Sequence, residues 1–145
     1  MEKITFNKIT KEVFLKYGFV KNKNRYILSL DDVTIVVKFC SWRGVKSFDY
    51  YFFINALYDD TIPLEKRFDT MFELKMEHTP TLRGYHAHEI LLDSYDETAY
   101  RKMLTNMLHQ HFDSYKKNAL QFIKDNHISL CLTKKAEQYL GIERC

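Results

Sequence analysis

Arg25-Tyr26-Ile27-Leu28-Ser29-Leu30-Asp31-Asp32-Val33-Thr34-Ile35-Val36-Val37-Lys38-Phe39-Cys40, followed by Phe48-Asp49-Tyr50-Tyr51-Phe52-Phe53-Ile54-Asn55-Ala56-Leu57-Tyr58, decides the architecture. Arg25 to Leu30 reads as one strand, and Asp31-Asp32 is a turn short enough for a hairpin. In the next strand, Val33 to Cys40, the side chains of Val33, Ile35, Val37 and Phe39 share one face. Phe48 to Tyr58 is apolar on both faces apart from Asp49 and Asn55, so it belongs at the centre of a sheet or under cover on both sides. Ser41 to Ser47, which carries Trp42, Arg43 and Lys46, is expected to be a polar loop between the second and third strands.

Working outward, Phe6, Ile9, Val13, Phe14 and Tyr17 recur at helical spacing and predict a first helix from Asn7 to Tyr17. Gly18 stands where a C-terminal cap belongs, and Phe19 can fold back onto the helix. On the other side, Pro63 can start a helix from Leu64 to Met76, although Phe72, Leu74 and Met76 also alternate as in a strand. Tyr85 to Leu92 reads as a fourth strand. Then comes a long amphipathic helix capped by Ser94 or Asp96. Its buried stripe is Tyr100, Leu104, Met107, Leu108, His111, Phe112, Tyr115, Ala119, Phe122 and Ile123, and it ends near Asp125-Asn126. That length invites a break near Phe112 to Tyr115. A short strand from Ile128 to Leu132 and a last helix from Lys134 to Leu140, capped by Thr133 and closed by Gly141, complete the chain. The expected fold class is therefore α+β, in a single domain spanning residues 1–145. An antiparallel sheet of four to five strands carries the N-terminal and long C-terminal helices mainly on one face.

Composition fits that reading. The chain has 145 residues, 46% hydrophobic and 28% charged, enough for a core without disulfides or metal. Eleven Phe, ten Tyr and one Trp make it unusually aromatic, which suits a sheet welded to its covering helices. Four Gly and two Pro leave little for linkers or glycine-rich phosphate loops. A net charge of +3, with both signs mixed throughout, argues against nucleic acid or an anionic membrane as the partner. Three cysteines without paired spacing, and an N-terminus without an apolar stretch, point to a reducing cytoplasm. No cofactor is expected, since Walker, Rossmann, GxSxG and HExxH patterns are all missing.

The order of helix, Leu15-Lys16-Tyr17-Gly18-Phe19-Val20-Lys21, Tyr26, a strand ending Phe39-Cys40-Ser41-Trp42 and another ending Phe53-Ile54-Asn55 resembles a family of small bacterial proteins. That family is known only as a domain of unknown function, the 4304-type uncharacterised domain. Arg83-Gly84 agrees loosely, whereas Cys40 departs from the usual Gln. The resemblance implies an α+β fold, a bacterial cytosolic origin and an immunity or interaction role, with no catalytic residues to carry over.

Several residues are candidates for chemistry or contact. Trp42 and Arg43 are the residue types favoured at interface hot spots. Tyr26, expected to be exposed, would join them beside the basic run Lys16, Lys21, Lys23 and Arg25, where charge and stacking could hold a phosphate or RNA. His86 and His88, two apart on a strand, point the same way and could share a metal with His78 or Asp93. His109 and His111, two apart on a helix, face apart and cannot. Cys40 could be a nucleophile only with a base supplied from elsewhere. Asp59-Asp60 could hold a divalent cation with Asp93 or Glu97, or simply be a solvated turn. The leading functional expectation is a non-enzymatic protein-binding module. A His-x-His metal enzyme and a weak nucleic-acid binder are the alternatives. An exposed strand also leaves a homodimer open.

Overall fold

The computed structural model describes residues 1–42, 45–73, 89–90, 95–128 and 130–142. Helix α1 spans Lys3–Tyr17, four residues longer at its start than the apolar spacing indicates. It buries Phe6, Ile9, Thr10, Val13, Phe14 and Tyr17. Gly18, at φ +126°, ends it. The Phe19 amide donates to the Phe14 carbonyl at 3.0 Å, so Phe19 returns onto the helix as its position suggests.

Strands β1 (Val20–Asn22), β2 (Arg25–Ser29), β3 (Val33–Trp42), β4 (Val45–Ile54) and β5 (Thr70–Glu73) lie side by side in that order. A two-residue β6 (Glu89–Ile90) pairs with β4 opposite Lys46 and Ser47. Every pairing is antiparallel. Three expectations are corrected here. Val20–Asn22 forms an edge strand that its short, polar sequence does not announce. Ser41, Trp42 and Val45 to Ser47 are strand rather than loop, because the β3–β4 ladder continues to Trp42 opposite Val45. The segment after Pro63 makes only a single 3-10 turn, Leu64–Lys66, before Thr70–Glu73 joins the sheet. Pairing against Asp49–Phe52 of β4 satisfies that backbone, and the weak helical spacing loses.

Helix α2 runs Glu97–Asp125, with the Asp96 carboxylate accepting the Ala99 amide at 2.7 Å. Its break falls at Asn118 (φ −164°, ψ 93°), one turn later than Phe112 to Tyr115. Phe112 and Tyr115 are both in the core and keep helical backbone. Asn118 can leave the helix because its side-chain oxygen accepts the Gln121 amide at 3.2 Å and restarts it. Ile128 lies in a turn and Leu130 to Leu132 form no strand, yet Leu130 and Leu132 still bury. Helix α3 is Lys134–Leu140, with Thr133 and Gly141 at its ends as the sequence indicates.

The helices cover one face of the sheet. Tyr26, Leu28, Val33, Ile35, Val37, Phe48, Tyr50, Phe52 and Ile54 meet the buried stripes of α1 and α2 in one cluster. On the opposite face Val36, Tyr51 and Phe53 are covered by Ile27, Tyr58 and Leu64. Strand β4 is thus buried on both sides, which is what its double apolar pattern requires. His111 and Phe122 are only half-buried, and Met103 replaces them in the stripe. Among the described residues no helix is long and apolar enough to cross a membrane.

Candidate functional site

The β1–β2 turn is built from a basic run. Asn22 pairs with Arg25, leaving Lys23 and Asn24 as the turn, with Lys23 at φ +58°. The turn lies against the N-terminal half of α1. Between them is a cleft of about 240 Å³ lined by Phe6, Asn7 and Thr10 of α1, Lys21, Lys23, Asn24 and Tyr26 of the hairpin, and Phe39 of β3. Its floor is aromatic: the Phe6 and Phe39 ring centroids are 5.7 Å apart. Its rim is polar and carries two ammonium groups. Thr10 donates its hydroxyl to the Phe6 carbonyl at 2.7 Å, so its 2.7 Å bond with the Tyr100 hydroxyl uses the tyrosine proton.

Tyr26 is a correction. It is only 4% exposed and stacks on Phe14 with centroids 4.3 Å apart. Its register opposite Val37 and Lys21 turns the ring toward the helices, so it serves the cleft as wall and the core as filler. Burial pushes its hydroxyl pKa up. Beyond the cleft, β3 and β4 overhang β2, whose first residue Arg25 already pairs at Lys38. Trp42 is carried on the end of that overhang; its side chain and all of Arg43 lie outside the described residues. Lys46, on the same overhang, is buried with its ammonium 5.6 Å from the Phe39 ring centroid. Burial, and then the charge of Lys3, hold its pKa below the usual lysine value.

The other sequence candidates are not brought together among the described residues. His78, His86, His88 and Asp93 lie outside the described residues, as does the side chain of Cys40. Asp59 accepts the Thr61 amide at 2.9 Å and belongs to an exposed turn with Asp60. His109 is exposed while His111 lies half-buried beside Tyr50 and Phe112, so the two do face apart. Among the described residues no group of three or more His, Cys, Asp or Glu is arranged to hold a metal.

Two polar clusters come from tertiary structure. In the first, Asp113 on α2 accepts the Tyr17 hydroxyl at 2.8 Å and contacts Nδ1 of His109 at 3.0 Å. The Lys116 ammonium sits 3.5 Å from the Tyr17 ring centroid and donates to the Tyr17 carbonyl. Only the i,i+4 pair His109–Asp113 was readable beforehand. The Tyr17 hydroxyl bond, and secondarily His109, hold the Asp113 carboxyl below its ordinary value. Such a group stabilises the fold above the unfolded pKa of about 3.9 and loses that contribution as pH falls through the folded value. Asp113→Asn is therefore expected to lower Tm modestly at pH 7. The gap from the parent should narrow as the pH of the melts falls below the unfolded value of about 3.9; a gap constant with pH would refute the linkage.

The second cluster centres on Asp69, fully buried after the 3-10 turn. One carboxylate oxygen accepts the Ile54 amide at 2.8 Å. The other accepts the Tyr58 hydroxyl at 3.1 Å and the Thr133 hydroxyl at 2.8 Å. Thr133 in turn accepts the Ala136 amide at 3.2 Å, capping α3. Every contact is internal and satisfied, so this carboxylate joins β4 to α3 rather than offering chemistry. Burial, then the Asp69 charge, push the Tyr58 hydroxyl up to about 12.

No family model matches the chain, and no curated protein or solved structure matches it.

Proposed function

We propose that the chain is a non-enzymatic binding module, of the immunity or regulatory type, that acts on another protein in a reducing bacterial cytoplasm. The supporting observation is the β1 edge. β1 ends the sheet, its three residues are all exposed, and Val20 is 65% exposed. An edge strand offers a row of backbone donors and acceptors that an extended segment of a partner can extend. Lys21, Lys23 and Arg25 surround that edge with positive charge, so the complementary segment is acidic. Trp42 ends the overhang at the same end of the sheet, where it and Arg43, its neighbour in sequence, would widen the contact.

A photo-crosslinking residue placed at Val20 or Lys21 in cells that naturally make the protein tests this. Both positions should capture one and the same partner. Lys124, exposed near the end of α2, should not capture it, and charge reversal by Lys23→Glu should abolish the capture. Equal capture at position 124, or none at 20 and 21, would overturn the reading.

A further inference from the structure

We propose that the cleft between α1 and the β1–β2 turn is a binding site for a small aromatic carboxylate. The proposal does not rest on the docking of a protein on the β1 edge, although that edge shares Lys21 and Lys23 with the cleft. Three features of the cleft select this ligand class. Its floor is the half-buried ring of Phe39, backed by the buried rings of Phe6 and Tyr26, and an exposed ring edge favours a flat ring in offset or edge contact. Its rim presents Lys21 and Lys23, and neither makes an ion pair with a described residue, so their charge is free for an anion. Its volume, about 240 Å³, lies below the roughly 300–1,000 Å³ of pockets for drug-sized ligands. One ring with a short acidic arm fits; a nucleotide does not.

Two other hollows lack this combination. The one at the α2 break, about 380 Å³, sets Asp31 and Asp32 against Lys116 and Lys117 and is mixed in sign. The one beside Tyr17, about 190 Å³, has its Lys116 already engaged by the Tyr17 ring and carbonyl. In the cleft, the ring would lie on the aromatic floor and the carboxylate would point outward between the two ammonium groups. The lysines are solvated, so each contributes modestly and the ring supplies the rest of the affinity.

The test is a titration of the full chain with 3-phenylpropionate and with its neutral amide, 3-phenylpropionamide, followed by backbone amide NMR. The acid should shift Phe6, Asn7, Lys21, Lys23, Asn24 and Phe39 saturably. The amide should bind about three- to tenfold more weakly, the factor that two solvated ion pairs supply. Lys21→Met with Lys23→Met should bring acid and amide to the same affinity, with the melting temperature showing that the variant is folded. Acid and amide binding equally to the parent chain, shifts centred on Tyr17 or Asn118 instead, or no saturable shift would each overturn the proposal.

Discussion

Asp69→Ala is expected to destabilise the fold by about 3–5 kcal/mol, close to what breaking a buried charged contact costs. The carboxylate is completely buried and accepts from three donors: the Ile54 amide and the Tyr58 and Thr133 hydroxyls. The Tyr58 hydroxyl retains the Phe68 carbonyl at 2.7 Å, so the amide and Thr133 bear most of the loss. Asp69→Asn keeps the shape and one acceptor oxygen but turns an NH2 toward one of the donors. It should cost roughly half as much. Urea unfolding of the three proteins measures this. A cost for Asp69→Ala under about 1 kcal/mol would mean that the joint between β4 and α3 is not a stabilising element. Because Thr133 caps α3 and also bonds Asp69, amide exchange in 134–140 should accelerate before that in the sheet.

Raising the pH should unfold the protein in one steep step between about pH 10.5 and 12. Tyr17, Tyr26, Tyr50, Tyr51, Tyr100 and Tyr115 are all buried. Burial is the first cause that pushes each of their pKa values up. Their raised pKa values mean that the fold keeps the neutral form. The stabilisation is complete below the unfolded pKa of about 10 and is lost as pH rises beyond it. Above that value each tyrosine still neutral in the fold costs about 1.4 kcal/mol per pH unit, so six cost at most roughly 8 kcal/mol per pH unit. A domain stable by about 5–15 kcal/mol is exhausted within one to two units. Tyrosinate absorbance near 295 nm should therefore rise together with the loss of far-ultraviolet circular dichroism. A gradual tyrosinate titration with the dichroism unchanged would show that the rings are accessible in the folded state.

The sites divide by how local their causes are. Lys21, Lys23 and Tyr26 were singled out from a basic run beside an aromatic, and they do come together at one cleft. Phe6, Asn7, Thr10 and Phe39, which complete it, could not be assigned to it from the sequence. They sit on an earlier helix and a later strand, and only the packing of α1 over the hairpin unites them. The polarity of Ser41, Arg43 and Lys46 predicts a loop around Trp42. The pairing of Trp42 with Val45 overrides that local polarity. The Tyr17–Asp113–Lys116 cluster spans about a hundred positions of chain, so no window of sequence contains it.

Apolar spacing and turn or capping residues by themselves determined α1, the β2–β3 hairpin, the two apolar faces of β4, the long α2 and the caps of α3, because each of these signals lies within a few neighbouring residues of the chain. Tertiary structure alone decided that Thr70–Glu73 is strand, that α2 breaks at Asn118, that Tyr26 faces inward and that Asp69 ties β4 to α3. In those places local preference is weak or divided, worth only tenths of a kcal/mol per residue. A single sheet register or buried hydrogen-bond set, worth several times as much, selects the outcome.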